Sequence, residues 1–276
     1  MISSISNTSA EIQRIRPKRF SRQQYVDIHC HCLPGVDDGP ATTAEALLLC
    51  RRLVDDGVSD VIATPHQLGT FSGRNKAVEI REAVAALNEQ LKKSNIGLTV
   101  MPGGDIRVEE SIRQLLEADE ILTLADGGKY ILLELPHEVF IDIGSLLLEL
   151  ASLGVRAIIS HPERHCFLAK QPKILLKWLD CSACLQITAG SLLGEFGYAV
   201  QKAAWYLLSS GLVSLVATDS HNLDGRKPCM RAAFGRISIK LGQATASLVC
   251  IENPTRVLSG QDILPVQCGI LNEVRQ

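Results

Sequence analysis

Six short apolar runs, rich in β-branched residues, divide this chain, and each ends in a histidine or a carboxylate. They are Tyr25-Val26-Asp27-Ile28-His29, Val61-Ile62-Ala63-Thr64-Pro65-His66, Leu98-Thr99-Val100-Met101-Pro102-Gly103-Gly104-Asp105, Tyr130-Ile131-Leu132-Leu133-Glu134, Val155-Arg156-Ala157-Ile158-Ile159-Ser160-His161 and Val213-Ser214-Leu215-Val216-Ala217-Thr218-Asp219. Continuous apolar runs of this length mark strands buried on both faces, as in parallel sheets. Between them the apolar spacing turns helical. Residues 43–56 put Ala46, Leu47, Leu49, Cys50, Leu53 and Val54 on one face, with Gly57 as a C-cap. Further helices are predicted over 75–94, 112–118, 141–153, 172–179 and 199–210. Strand alternating with helix predicts an α/β fold with a parallel sheet, either closed or doubly wound. A doubly wound sheet gathers its site at one crevice. Here polar residues of ligand type follow nearly every strand, which favours a barrel whose strand ends share one mouth.

The richest of these ends is His29-Cys30-His31. Side chains alternate along a strand, so His29 and His31 face the same way and Cys30 and Cys32 face the packing behind. Two adjacent imidazoles can bind one transition metal, and Asp38, just past the turn, can return an oxygen to it. His66, Asp105, Glu134, His161, Asp219 and His221 end the other runs. Each alone has a plain structural explanation: a hydrogen-bonded histidine, a rim carboxylate, a helix N-cap. A metal-binding mouth explains the whole set with one cause.

Composition narrows the function. With 276 residues the chain can bury a substantial core in one large domain. A net charge of −2, with acids and bases interspersed, lacks the footprint of nucleic-acid binding. The sequence contains neither a bilayer-spanning apolar stretch nor an apolar secretory core, so a cytoplasmic location is expected. Nine cysteines, an odd number, suit a reducing compartment. Cys181-Ser182-Ala183-Cys184 has no second pair nearby and reads as a helix-to-strand connection. Cys250 to Arg256 has the Cys-x5-Arg spacing of cysteine-dependent phosphatases. It lacks glycine, includes Pro254 without an N–H, and puts Glu252 where an anion would sit, so it reads as coincidence. Residues 1–24 form a polar, then basic, stretch (Arg14, Arg16, Lys18, Arg19, Arg22), expected as a solvated tail or an electrostatic arm. The barrel is expected over 25–260 and a second tail over 261–276.

The run from Asp27 through His29-Cys30-His31-Cys32-Leu33-Pro34-Gly35-Val36-Asp37-Asp38-Gly39 to Pro40 resembles the opening of the PHP-type (polymerase and histidinol phosphatase) metal-dependent protein tyrosine phosphatases of the CpsB/YwqE kind, bacterial regulators of capsule and exopolysaccharide. Ala63-Thr64-Pro65-His66, His161-Pro162-Glu163-Arg164, Thr218-Asp219-Ser220-His221-Asn222 and Glu252-Asn253-Pro254 are similar too. The resemblance implies a distorted (β/α)7 TIM-like barrel of the PHP type with three divalent metals at its mouth. It implies the ligands His29, His31, Asp38, His66, Asp105, Glu134, His161, Asp219 and His221, with Arg164 and Arg226 on the phosphoryl group. Manganese, iron or zinc suits such a set, and the family suggests manganese. The implied partner is the autophosphorylated C-terminal tail of a bacterial tyrosine kinase, with membrane contact at most through that partner. Self-association into a homo-oligomer is left open. A histidinol-phosphatase-like small-molecule enzyme and a non-catalytic phosphotyrosine-binding module are the alternatives. Two features depart from the pattern: Gly103-Gly104-Asp105 replaces Gly-x-Glu, shortening by one methylene the carboxylate expected to bridge two metals, and the basic tail is extra.

Overall fold

The computed structural model describes residues 24–137 and 139–266; the basic arm expected in the first 23 residues, and residues 267–276, lie outside the described residues. The strands are β1 (Tyr25–Cys30), β2 (Val58–Ala63), β3 (His66–Gln67), β4 (Thr99–Pro102), β5 (Asp105–Arg107), β6 (Tyr130–Glu134), β7 (Arg156–Ser160), β8 (Cys184–Thr188) and β9 (Leu215–Ala217). All pair in parallel, in the orders β1-β2-β4 and β3-β5-β6-β7-β8-β9. Two-residue breaks divide β2 from β3 and β4 from β5, so these nine segments amount to seven strand positions. The ring closes where Cys30 bridges Ser220, with Asp219 N–H donating to the His29 carbonyl at 2.8 Å and His31 N–H to that of Ser220 at 2.9 Å. This is the expected distorted (β/α)7 barrel.

The breaks have local causes. Pro65 has no N–H for the ladder. At the other break a Cβ on Gly103 would lie 2.6 Å from Ile62 Cγ2, and one on Gly104 2.3 Å from Gln67 Oε1. Only glycine allows that approach, and the resulting kink delivers Asp105 to the mouth.

The layers follow from alternation. Val26, Ile28, Ile62, Leu132, Ile158, Cys184, Leu215 and Ala217 fill the barrel interior. Cys30, Cys32, Ala63, Ile131, Leu133 and Ile159 face outward into the larger core beneath the helices. Ile28 points inward and Cys30 outward because the β1 register shifts between Asp27 and Cys30, which lets His29 and His31 both reach the mouth. The N-terminal end is plugged by Val257 and Ile263, and Tyr130 Oη donates to the Gln261 carbonyl at 2.8 Å while accepting from Ile263 N–H at 3.1 Å. Residues 261–266, read from sequence as tail, therefore begin as part of this plug.

The helices α1 (Thr43–Asp56), α2 (Ala77–Lys93), α3 (Ile112–Glu117), α4 (Gly144–Ser152), α5 (Pro172–Asp180), α6 (Ala189–Leu193) and α7 (Tyr198–Ser209) lie between strands, and α8 (Met230–Leu241), α9 (Gln243–Ser247) and α10 (Asn253–Leu258) follow them. Thr42 caps α1 by accepting from Glu45 N–H at 3.3 Å, and Gly57 ends it at φ 101°. One expectation shifts. The helix read over 141–153 starts at Gly144, because Asp142 Oδ1 accepts from both Gly144 N–H and Trp178 Nε1–H at 3.1 Å and holds the preceding residues as a loop.

Candidate metal centre

All nine expected donors converge at the C-terminal mouth. His29 Nε2 lies 3.3 Å from His31 Nε2, 3.3 Å from Asp219 Oδ1 and 3.6 Å from Asp105 Oδ2. His66 Nδ1 is 3.5 Å from Asp105 Oδ2 and 3.8 Å from Glu134 Oε2, while its Nε2 is 3.5 Å from Asp38 Oδ1. His221 Nε2 is 3.2 Å from the same Asp38 oxygen. His161 Nε2 is 3.7 Å from Glu134 Oε1. The donors fall into overlapping sets: His31, Asp38, His66 and His221; His29, His31 and Asp219; His29, Asp105 and His161; His66, Asp105 and Glu134. Asp105 belongs to two of them and occupies the centre.

Neighbouring groups aim the donors. His29 donates from Nδ1 to Gln186 Oε1 at 3.0 Å, and His31 from Nδ1 to Asp37 Oδ2 at 2.6 Å. Each bond leaves Nε2 facing the centre as the free donor, the pattern of metal-binding histidines. Asp37 also accepts from Gly39 N–H and His66 N–H, both at 3.0 Å, so one carboxylate ties three segments of the site together. Asp27 accepts from Thr218 N–H at 3.0 Å and from the Thr218 hydroxyl, which fixes the strand end carrying Asp219. His161 and Asp219 both adopt left-handed backbone, at φ 33° and 55°. Such strain in non-glycine residues is held in place only by surrounding structure and gathers at functional sites.

The site fits a divalent cation. Both Asp105 oxygens are buried and accept no hydrogen bond, which is costly for a carboxylate unless a cation compensates it. Burial opposes ionisation of Asp105, yet the neighbouring His29 and His66 hold it well below the usual carboxylate range. Burial would lower His29, but Asp219 and Asp105 outweigh it and raise it to about 9. His31 goes the other way, to about 4, through burial and the neighbouring His221. Imidazole mixed with carboxylate is the donor chemistry of manganese, iron and zinc sites.

Arg164 and Arg226 flank the donors. Both guanidinium groups contact Asp219, Arg226 Nη2 at 2.5 Å from Oδ1 and Arg164 Nη2 at Oδ2. Their buried Nε atoms have no acceptor. Glu163 braces the turn that presents Arg164, accepting from Thr188 N–H at 2.9 Å and Ser191 Oγ–H at 2.7 Å. Beside the donors opens a cleft of about 550 Å³ lined by Asp38, His66, Phe71, Arg107 and Glu134 among others.

The family model described as capsular polysaccharide synthesis, CpsB/CapC, matches residues 25–259. The chain belongs to the CpsB/CapC family. It is similar to the tyrosine-protein phosphatase YwqE of Bacillus subtilis, with 37% identity over 86% of this chain and 93% of the relative. It is similar also to the tyrosine-protein phosphatase CpsB of Streptococcus pneumoniae, with 30% identity over 86% of this chain and 99% of the relative. Among solved structures, one reported with YwqE and CpsB as "unique metal-dependent tyrosine phosphatases" superposes with a TM-score of 0.83 at 33% identity, covering 88% of this chain and 99% of the other. The phosphotriesterase homology protein of Escherichia coli shares the fold at a TM-score of 0.56 and 15% identity, covering 86% of this chain and 99% of the other.

For this CpsB/CapC chain the structure also adds residues that sequence reading passed over. Asp37 and Gln186 orient histidines. Arg107 Nη1 pairs with Glu134 Oε2 at 3.1 Å. His137 joins Glu134 and His161 in a further donor set. Only Asp37 carried a signal, as the first aspartate of Asp37-Asp38-Gly39. The Cys-x5-Arg spacing is indeed coincidental. Cys250 is fully buried in the core, its thiol pushed up by burial, and Arg256 donates to the Asp262 carbonyl at 3.1 Å. Cys181 and Cys184 are both unpaired.

Proposed function

We propose that this chain is a metal-dependent protein tyrosine phosphatase. The observation that carries the reading is the nine-donor cluster centred on the unpartnered Asp105 carboxylate, with two guanidinium groups beside it and an open cleft in front. His29, His31, Asp38, His66, Asp105, Glu134, His161, Asp219 and His221 would hold the ions, three by resemblance and manganese by preference. When bound, such ions neutralise phosphoryl charge and lower the pKa of water at the site towards neutrality.

The chain's own groups supply the rest. Arg164 and Arg226 present planar forks suited to bidentate contact with phosphoryl oxygens, and their unpartnered Nε–H groups are available donors. Fixed donors of this kind stabilise the charge that grows on the equatorial oxygens during transfer. Phe71 stacks on His66 at 5.6 Å between ring centroids and offers an aromatic wall to a substrate phenyl ring. A phenol has a pKa of about 10, so a phenolate leaves more readily than an alkoxide and needs less help from a general acid.

The resemblance supports, as substrate, the autophosphorylated C-terminal tail of a bacterial tyrosine kinase, which would place the enzyme in the cytoplasm. No helix among the described residues is long and apolar enough to cross a membrane. Turnover of a phosphotyrosine peptide, a phosphoserine peptide and histidinol phosphate by the metal-loaded protein tests the reading. Preference for the phosphotyrosine peptide is expected. Preference for histidinol phosphate would move the assignment to a small-molecule phosphatase, and metal-loaded protein that binds the phosphotyrosine peptide without hydrolysing it would make the chain a binding module.

A further inference from the structure

We infer that His137 is a further metal ligand, which takes a divalent ion jointly with Glu134 and His161 at the rim of the centre. The inference rests on the metal centre proposed above and adds a donor outside the set of strand-end residues. His137 follows β6 in the turn Leu135-Pro136-His137, and its side chain is 43% exposed. Its Nε2 lies 3.7 Å from Glu134 Oε1, and His161 Nε2 lies 3.7 Å from that same oxygen. The two imidazoles stack at 5.3 Å between centroids and 22° between planes, and the three ligand atoms all fall within 4.8 Å of one another.

These spacings are too long for hydrogen bonds. They are near those of donors around one ion, since two ligands each about 2.1 Å from a metal at a tetrahedral angle lie about 3.4 Å apart. Glu134 is divided accordingly. Its Oε2 is engaged by Arg107 at 3.1 Å, while Oε1 faces the two histidines. The backbone around His137 is anchored too: its carbonyl accepts from Cys166 N–H at 3.4 Å and Cys166 Sγ–H at 3.2 Å. Cys166 lies on the loop just beyond the His161–Arg164 turn, so both imidazoles are positioned by the same piece of chain. Two neutral imidazoles and one carboxylate suit zinc, cobalt, iron or manganese.

The test is metal titration of the full chain after chelation. Zinc is followed by calorimetry and cobalt by its visible absorption, in the wild type, His137→Ala and His137→Phe. The phenylalanine keeps a ring on His161 but offers no donor atom. Both variants are expected to weaken one bound ion by about tenfold or more and to alter the cobalt spectrum, with metal-free melting unchanged. Wild-type affinity and spectrum in His137→Ala would overturn the inference. So would wild-type behaviour in His137→Phe alone, which would assign His137 a packing role. A wild type that takes up no metal would instead refute the centre itself, and this inference with it.

Discussion

Asp37 gives the sharpest single-residue prediction, because it binds no substrate and ligates nothing by itself. Its Oδ2 accepts from His31 Nδ1–H at 2.6 Å and His66 N–H at 3.0 Å, and its Oδ1 from Gly39 N–H at 3.0 Å. Asp37→Asn keeps the volume, removes the charge and turns one acceptor into a donor. An amide that keeps its oxygen towards His31 sets its NH2 against Gly39 N–H; flipped, it sets that NH2 against the His31 and His66 donors. Either way a charge-assisted bond is lost, an effect of about 1.5–3 kcal/mol. At about 1.4 kcal/mol per power of ten, metal affinity should fall by roughly one to two powers of ten. Losses of about 10- to 100-fold follow when groups orienting metal-bound histidines are removed elsewhere, and that independent range agrees. The assay is manganese titration of chelator-stripped wild type and Asp37→Asn against a competing dye, with metal-free melting as the folding control. Wild-type affinity in a folded variant would refute the argument that Asp37 sets the His31 tautomer.

Three further predictions follow. Arg164→Ala should retain bound metal and lose about 10²–10³-fold in kcat on a phosphotyrosine peptide, since it removes a fixed donor to the transferring group; a variant with full turnover would end its assigned role. Cys250→Ser should keep full activity and lose about 1–3 kcal/mol of stability, because a hydroxyl replaces a thiol at a fully buried apolar position; lost activity with metal still bound would revive the cysteine mechanism. Asp27 is raised to about 6, chiefly by burial, against its hydrogen bonds from Thr218. A carboxyl with a raised folded-state pKa holds its proton more tightly in the native protein than when unfolded. Its contribution is therefore present at low pH and is lost as pH rises from about 4 to about 6, by about 3 kcal/mol in all. Denaturant melts of metal-free wild type should show this slope, and Asp27→Asn should flatten that part of it.

Much of the site was legible because a parallel barrel writes its mouth at the ends of apolar runs. His29, His66, Asp105, Glu134, His161 and Asp219 each end such a run, and His31 and His221 follow at the two-residue spacing. What was not legible depended on contacts rather than position. The strand β8 escaped notice because it ends in Gln186, Ile187 and Thr188, none a ligand type, although Gln186 orients His29. Of the adjacent pair Asp37 and Asp38, only the fold decides which carboxylate faces the His31 ring nitrogen. His137 lies in the turn after its strand, where spacing carries no signal. The plug made by Tyr130, Val257 and Ile263 involves no chemistry to draw attention to it. The helix α8 could have been read, since Met230, Ala233, Phe234 and Ile237 recur at helical intervals and are all buried.

The central claim is tested most directly by hydrolysis of a phosphotyrosine peptide with chelator-stripped protein, before and after adding manganese, with bound metal quantified in the same samples. The account predicts no turnover in the stripped protein and turnover that rises with bound metal. Full turnover without metal, or metal at full occupancy with no hydrolysis, would contradict it.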